Sequence, residues 1–217
     1  MPLIVLEGVD GSGKSTQFEL LCRRLADEGT AFHRVVFPRY SERSSALLRM
    51  YLDGEFGDDP MDVNAYAAST FYAVDRFASF RMDWKKAYEN GGLILCERYT
   101  TANAIHQGSK LEDKEGFFRW LDEFEYRLLE LPRPDLTIYL EVSLELSLKH
   151  LDERAAATGA AGDIHEGDRE YIRKCVETGK SAAAYYGWSV VNCGDGGTMR
   201  EPEAIHEEIY RLIKENI

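Results

Sequence analysis

With 217 residues, 44% of them hydrophobic and 29% charged, the chain has enough apolar material for one fully cored globular domain. Its 38 acidic against 26 basic residues, a net charge of −12, argue against a broad grip on nucleic-acid polymers, which demands clustered Lys and Arg; a local basic pocket for a small anion stays open. No apolar run approaches the roughly 18 residues of a membrane span, and no charged stretch leads into a signal-like core, so the expectation is a cytoplasmic protein. Cys22, Cys96, Cys175 and Cys193 are scattered without a Cys-x-x-Cys pair, which favours buried free thiols over a disulfide or a zinc site.

Residues 3–6 form a short apolar strand, and residues 16–28 a helix that stops near Gly29. Between them lies Gly8-Val9-Asp10-Gly11-Ser12-Gly13-Lys14-Ser15-Thr16, which fits the phosphate-binding pattern Gly-x-x-x-x-Gly-Lys-Ser/Thr. Gly8, Gly11 and Gly13 permit the turns that point successive N–H groups at phosphate oxygens. Lys14 supplies a mobile charge for the outer phosphates, and the Ser15 hydroxyl suits Mg²⁺. Strand, glycine turn and helix is the order this chemistry requires.

A second strand spans 34–37 and ends at Pro38, followed by a helical stretch at 44–52 and a turn-rich surface loop at 53–60. Residues 64–88 read as a helix whose aromatic supply, Tyr66, Phe71, Tyr72, Phe77, Phe80 and Trp84, predicts burial on more than one side. Gly91-Gly92 separates it from a third strand at 93–96, which runs directly into Glu97-Arg98. Residues 112–131 make a long helix terminated by Pro132 and Pro134. A fourth strand at 136–140, a helix at 144–154, a small-residue loop at 155–167, a helix at 168–186, a strand at 189–192 and an amphipathic helix from Pro202 complete the alternation. Such alternation predicts an α/β fold with a parallel sheet covered on both faces, in a single domain without a long linker.

Ligands of open parallel sheets sit beyond the carboxyl ends of the strands. There the first strand delivers the phosphate loop, the second Pro38-Arg39 and the third Glu97-Arg98-Tyr99, a convergence that favours an anionic site. Phe37-Pro38-Arg39, Ala73-Val74-Asp75-Arg76, Glu97-Arg98-Tyr99-Thr100 and Asn103 to Gln107, in this order after the loop, resemble the thymidylate kinase family over essentially the whole chain.

The resemblance implies a P-loop kinase fold: a five-stranded parallel sheet with helices on both faces and a mobile lid at about 154–168. It implies transfer of the γ-phosphoryl group of ATP, with Mg²⁺, to dTMP. Gly8, Asp10, Gly11, Ser12, Gly13, Lys14, Ser15 and Thr16 would hold the nucleotide, with Ser15 and Glu97 toward the metal. Arg39, Arg76 and Arg98 match acceptor-phosphate positions, as forked guanidinium donors suit phosphate oxygens. Tyr72 matches an aromatic that stacks on thymine, Asn103 and Gln107 line the nucleoside site, and Asp10 lies near the acceptor sugar and Mg²⁺. His106 stands where many relatives have tyrosine, and Glu97 where they commonly have aspartate.

Catalytic charge neutralisation then falls to Lys14, Arg98, Glu97 and an arginine from the lid, since position 11 is glycine; Arg154 is the candidate. Residues 163–166 resemble an acidic lid segment in which His165 reads as a surface residue, and 193–196 either border adenine or form a simple turn. The helix at 112–131 is suited either to cover the sheet or, as the resemblance favours, to pair with its copy in a homodimer. A deoxynucleoside kinase is the competing activity, and an idle P-loop sensor a third; Phe37-Pro38-Arg39 with Arg76 argue against the deoxynucleoside kinase, since a neutral nucleoside needs fewer phosphate-binding arginines.

Overall fold

The computed structural model describes residues 2–158, 164–165, 167–195 and 197–216. β1 (Leu3–Glu7) enters the phosphate loop and α1 (Lys14–Asp27), and β2 (Phe32–Val36) follows. α2 (Ala46–Leu52), α3 (Ala65–Ser79) and α4 (Lys85–Glu89) lead to β3 (Leu93–Glu97), then α5 (Thr100–His106) and α6 (Lys114–Leu121) to β4 (Leu136–Glu141). α7 (Leu144–Thr158), α8 (Arg169–Tyr186), β5 (Ser189–Asn192), a small hairpin of β6 (Gly194–Asp195) and β7 (Thr198–Met199), and α9 (Pro202–Lys214) complete the described chain.

The five main strands are parallel in the order β2-β3-β1-β4-β5, as the alternation of apolar runs and helices predicts. β1 occupies the centre, with Val5 opposite Cys96 of β3 on one side and Thr137 of β4 on the other, so the phosphate loop emerges mid-edge. β1 and β3 are buried along their whole length because helices cover both faces, and hence they read as continuous apolar runs. The strand period of two divides them: Ile4 and Leu6 pack with Phe18, Leu21 and Leu25 of α1 and Ile205, Ile209 and Ile213 of α9. Leu3 and Val5 face the other way, toward Phe80, Trp84 and Tyr99.

Several helix ends follow from local chemistry. Asn64 Oδ1 accepts from Ala67 N at 2.9 Å, Asp113 caps α6 through Gly116 N at 2.8 Å, and Asp168 caps α8 through Glu170 N at 2.9 Å. Gly187 ends α8 with φ 67°, where a side chain would be strained.

Three differences from the sequence reading matter. α7 runs to Thr158, so residues 155–158 are helical rather than loop; Ala155-Ala156-Ala157 are strong helix formers, and Arg154 lies within the helix instead of at its end. Of the expected lid, residues 159–163 and 166 lie outside the described residues. The 193–195 segment is not a simple turn but one arm of the β6–β7 hairpin. Finally, the aromatic stretch at 64–88 splits: Phe80 and Trp84 are buried, while Tyr66, Phe77 and Met82 are exposed, Met82 at 84%. A wide π-helical turn at Phe80–Trp84 joins α3 to α4, and another at Asp122–Leu128 continues α6. All four cysteines are buried and free.

Candidate active site

The phosphate loop is shaped as much by α7 as by its own glycines. Ser147 Oγ donates to Asp10 O at 2.7 Å, and His150 Nδ1 lies 3.1 Å from Gly11 O. A Cβ at Gly11 would stand 2.3 Å from the Ser147 carbonyl oxygen, and its φ of +76° is already hostile to a side chain. No arginine fits at position 11 while α7 packs there. Gly8 is held equally closely, because a Cβ would come 2.5 Å from Ser12 Oγ, and Gly13 opens α1 with φ 81°. The start of α1 presents free N–H groups and the positive end of its dipole to the space above the loop. Ser12 and Lys14 are buried at this point, whereas Ser15 and Thr16 are exposed.

Charges converge around Asp10. Lys14 Nζ lies 3.5 Å from Asp10 Oδ1, and Arg98 Nη2 donates to the same oxygen. Burial raises the affinity of Asp10 for a proton, but Arg98 and Lys14 outweigh it and hold the carboxyl well below its ordinary range. Burial and Arg98 lower the Lys14 pKa, with Asp10 and Glu7 opposing. Arg98 reaches Glu7 at 3.7 Å and occupies a left-handed backbone conformation, φ 60°, rare for a non-glycine residue and tied by its N–H to Leu6 O at 3.0 Å. Glu7 is wholly buried, accepting from Gly8 N at 2.9 Å and Thr101 Oγ1 at 2.7 Å. Beside the loop, Ser15 Oγ donates to Glu97 Oε1.

A cavity of about 290 Å³ extends from these groups between β2, α3 and α5. Lys14, Ser15, Glu97, Arg98 and Asp10 stand at its phosphate-loop end; Tyr72, Arg76, Asn103 and Arg154 of α7 also line it. Arg76 is fully enclosed and clasps Glu125 with both nitrogens of its fork, Nε to Oε2 at 2.7 Å and Nη2 to Oε1, while Nη1 donates to Tyr99 O at 3.3 Å. Asn103 Nδ2 donates to Glu125 Oε1 at 3.0 Å and Ser69 O at 3.2 Å, leaving Oδ1 as that side chain's acceptor.

Two expected site residues lie elsewhere. Arg39 does not line the cavity: its N–H donates to Asp75 Oδ2 at 2.9 Å, and its Nε stands 3.4 Å from Oδ1 of the same carboxylate. Gln107 is buried behind the wall, its side-chain amide without a hydrogen-bond partner among the described residues. The α5 helix aims Asn103 at the cavity, and Gln107, just past its end, packs inward.

His165 is a correction of another kind, being buried rather than superficial. Its ring lies nearly parallel to that of His106 at 6.3 Å, and its Nε2 is 2.8 Å from the Tyr51 hydroxyl, which accepts from Lys110 Nζ at 2.8 Å. Burial first, and then Lys110, push the His165 pKa down to about 3. Because that value lies below the ordinary 6.5, the unfolded chain binds a proton that the folded one refuses, and stability present above pH 6.5 is lost as pH falls toward 3. Between pH 7 and 5 this costs about 2 kcal/mol. Denaturant melts should therefore show a pH 7-to-5 loss in wild type larger by that amount than in His165→Gln; equal losses would contradict the neutral buried ring.

Sequence reasoning missed three anchors, Glu7, Asp75 and Glu125. Each carried a signal: Glu7 closes an apolar strand, Asp75 precedes Arg76, and Glu125 lies one turn after Leu121 on the inward face of its helix. A carboxylate on an otherwise buried face demands a cation or donor partner.

The thymidylate kinase family model matches residues 6–190. A thymidylate kinase of Mycobacterium tuberculosis is 32% identical over 174 residues, covering 77% of this chain and 79% of that protein. A probable thymidylate kinase of Pyrococcus horikoshii is 28% identical over 214 residues, 99% of this chain and 96% of its own, and a thymidylate kinase of Nostoc punctiforme is 29% identical over 213 residues, 98% and 95%. A phosphate loop at the centre of a parallel sheet, an arginine-lined cavity beside it and these matches have one common reading: the chain belongs to the thymidylate kinase family.

Proposed function

We propose that the protein transfers the γ-phosphoryl group of ATP to dTMP, giving dTDP and ADP. The observation that carries this reading is the cavity itself, which brings the cations beside the phosphate loop together with the aromatic ring of Tyr72, the paired guanidinium of Arg76 and the amide of Asn103. The loop amides and Lys14 hold the donor phosphates, and Arg98, at the junction of loop and cavity, takes the acceptor phosphate. Arg76 is neutralised by Glu125, so its spare N–H groups suit a neutral carbonyl of the base better than a phosphate; with Asn103 Oδ1 accepting from an imide N–H, they match the edge of thymine. The Tyr72 ring supplies the flat apolar surface for that base.

Phosphoryl transfer asks chiefly for in-line placement and for neutralisation of the charge spread over the moving group. Lys14 and Arg98 stand close enough to share Asp10, and Arg154 reaches the same cavity from α7 as the third cation. The adjoining oxygens of Ser15 and Glu97 fit the hard, oxygen-seeking Mg²⁺ that accompanies ATP, whose charge would offset that of the phosphates.

No helix among the described residues is long and apolar enough to cross a membrane, and we place the reaction in the cytoplasm. We further propose a homodimer through the exposed face where Tyr66 meets Trp120 edge-on at 4.7 Å and Trp120 stacks on Phe124, beside exposed Phe77 and Val74. A monomeric sedimentation coefficient at micromolar protein would oppose it. Incubation with Mg-ATP and a panel of nucleosides and monophosphates tests the activity: dTDP should form fastest from dTMP, and phosphorylation of thymidine without dTMP would replace this reading with a deoxynucleoside kinase.

A further inference from the structure

Arg98 is gripped from two sides of unlike character. The loop side is anionic, through Asp10 and Glu7; the α5 side is His106, whose Nε2 stands 2.7 Å from Arg98 Nη1. A guanidinium has only donors, so Nε2 must be the unprotonated acceptor, and the ring proton resides on Nδ1, which faces Cys175 Sγ at 3.6 Å. The ring is thereby fixed as one neutral tautomer. Asp10 and Lys14 face it from the loop and α1, His165 lies parallel to it, and Tyr171, from α8, donates its hydroxyl to the His106 carbonyl at 2.8 Å. Burial, then Arg98, push the His106 pKa well below its usual value, in keeping with the neutral form.

A neutral acceptor has a specific merit here. The two carboxylates already offset the charge of Arg98, and a third anion would repel an incoming phosphate, whereas an imidazole lone pair fixes the guanidinium plane without adding negative charge. We propose that His106 is a positioning residue that holds Arg98, through this Nε2 hydrogen bond, in the orientation that receives the acceptor's phosphate. The inference rests on Arg98 as the acceptor-phosphate ligand. His106 therefore acts on acceptor affinity and not on ATP.

Two variants of the full chain test it. His106→Gln carries a carbonyl oxygen near the place of Nε2, and His106→Leu fills the space without an acceptor. Loss of a hydrogen bond to a charged group predicts a KM for dTMP about tenfold higher in His106→Leu, with KM for ATP within about twofold, and recovery to within about threefold of wild type in His106→Gln. Equal impairment of both folded variants, or an equal rise for ATP, overturns the proposal. Should His106→Leu fail to fold, imidazole ¹⁵N shifts of the wild-type protein decide: a Nδ1–H tautomer at neutral pH is expected, and a Nε2–H or doubly protonated ring refutes the contact. Arg98→Lys separates the two readings, because an unchanged KM for dTMP there would remove the premise about Arg98, while the ¹⁵N signature reports the His106 hydrogen bond independently.

Discussion

Lys14→Ala is expected to lower kcat roughly a thousandfold while leaving the fold intact. The ammonium is buried at the head of α1, facing the space into which the donor phosphates project, where the low dielectric makes a fixed cation worth far more than in water. Its removal leaves no orphaned anion, since Asp10 retains the Arg98 guanidinium. Structural damage should accordingly be small, and a thermal melt within a few degrees of wild type would separate chemistry from folding. Saturating Mg-ATP and dTMP in a coupled ADP assay give kcat directly. Retention of more than a tenth of the wild-type value would show that another cation, Arg98 or Arg154, carries the charge assigned to Lys14.

Arg76→Ala should be damaging in a different way. It strips the partner from Glu125, a carboxylate with 0% exposure, and truncating one member of a buried ion pair costs about 3–5 kcal/mol. Asn103 shares Glu125 Oε1, so its amide is left bonded to a carboxylate that has lost its cation. Arg76→Leu with Glu125→Leu should recover most of the stability, because apolar side chains of similar volume replace the pair without leaving a charge in the core. Recognition should not recover. The folded double variant is expected to show a KM for dTMP at least about tenfold higher, with KM for ATP within about twofold. An equal rise for both nucleotides would place Arg76 outside the acceptor site, and an unstable double variant would mean that the hydrogen bonds of Glu125 to Asn103 matter more than its charge.

Much of the architecture is readable in one dimension because its signals are local. Leu3-Ile4-Val5-Leu6 is apolar throughout because both faces of the central strand are covered, and the glycines of the loop sit where backbone must turn sharply. Such information lies within a few residues of its consequence. The same holds for Asp168 and Gly187, which bound α8 by a cap and a left-handed terminus. The phosphate loop is legible for this reason.

The cavity beside the loop is less legible, because the role of its residues depends on partners far away in the chain. Arg76 and Arg39 are alike in sequence as arginines near a phosphate loop, yet one meets Glu125, 49 residues on, across the cavity wall, and the other turns to Asp75. His165 resembles a polar surface residue until Tyr51, 114 positions earlier, closes over it. Gly11 marks a sharp turn by itself, and the carbonyl of Ser147 adds a steric bar to an arginine there that no local signal shows.

The sequence by itself thus determined most elements, the parallel sheet and the glycine-rich loop at its centre, since strand periodicity, helix caps and glycine turns act over short range. Tertiary structure alone decided which buried carboxylate each of the site's cations meets. Charge pairing in a low-dielectric interior is set by distance in space, and strands β1, β3 and β4, brought side by side from separate parts of the chain, set that distance.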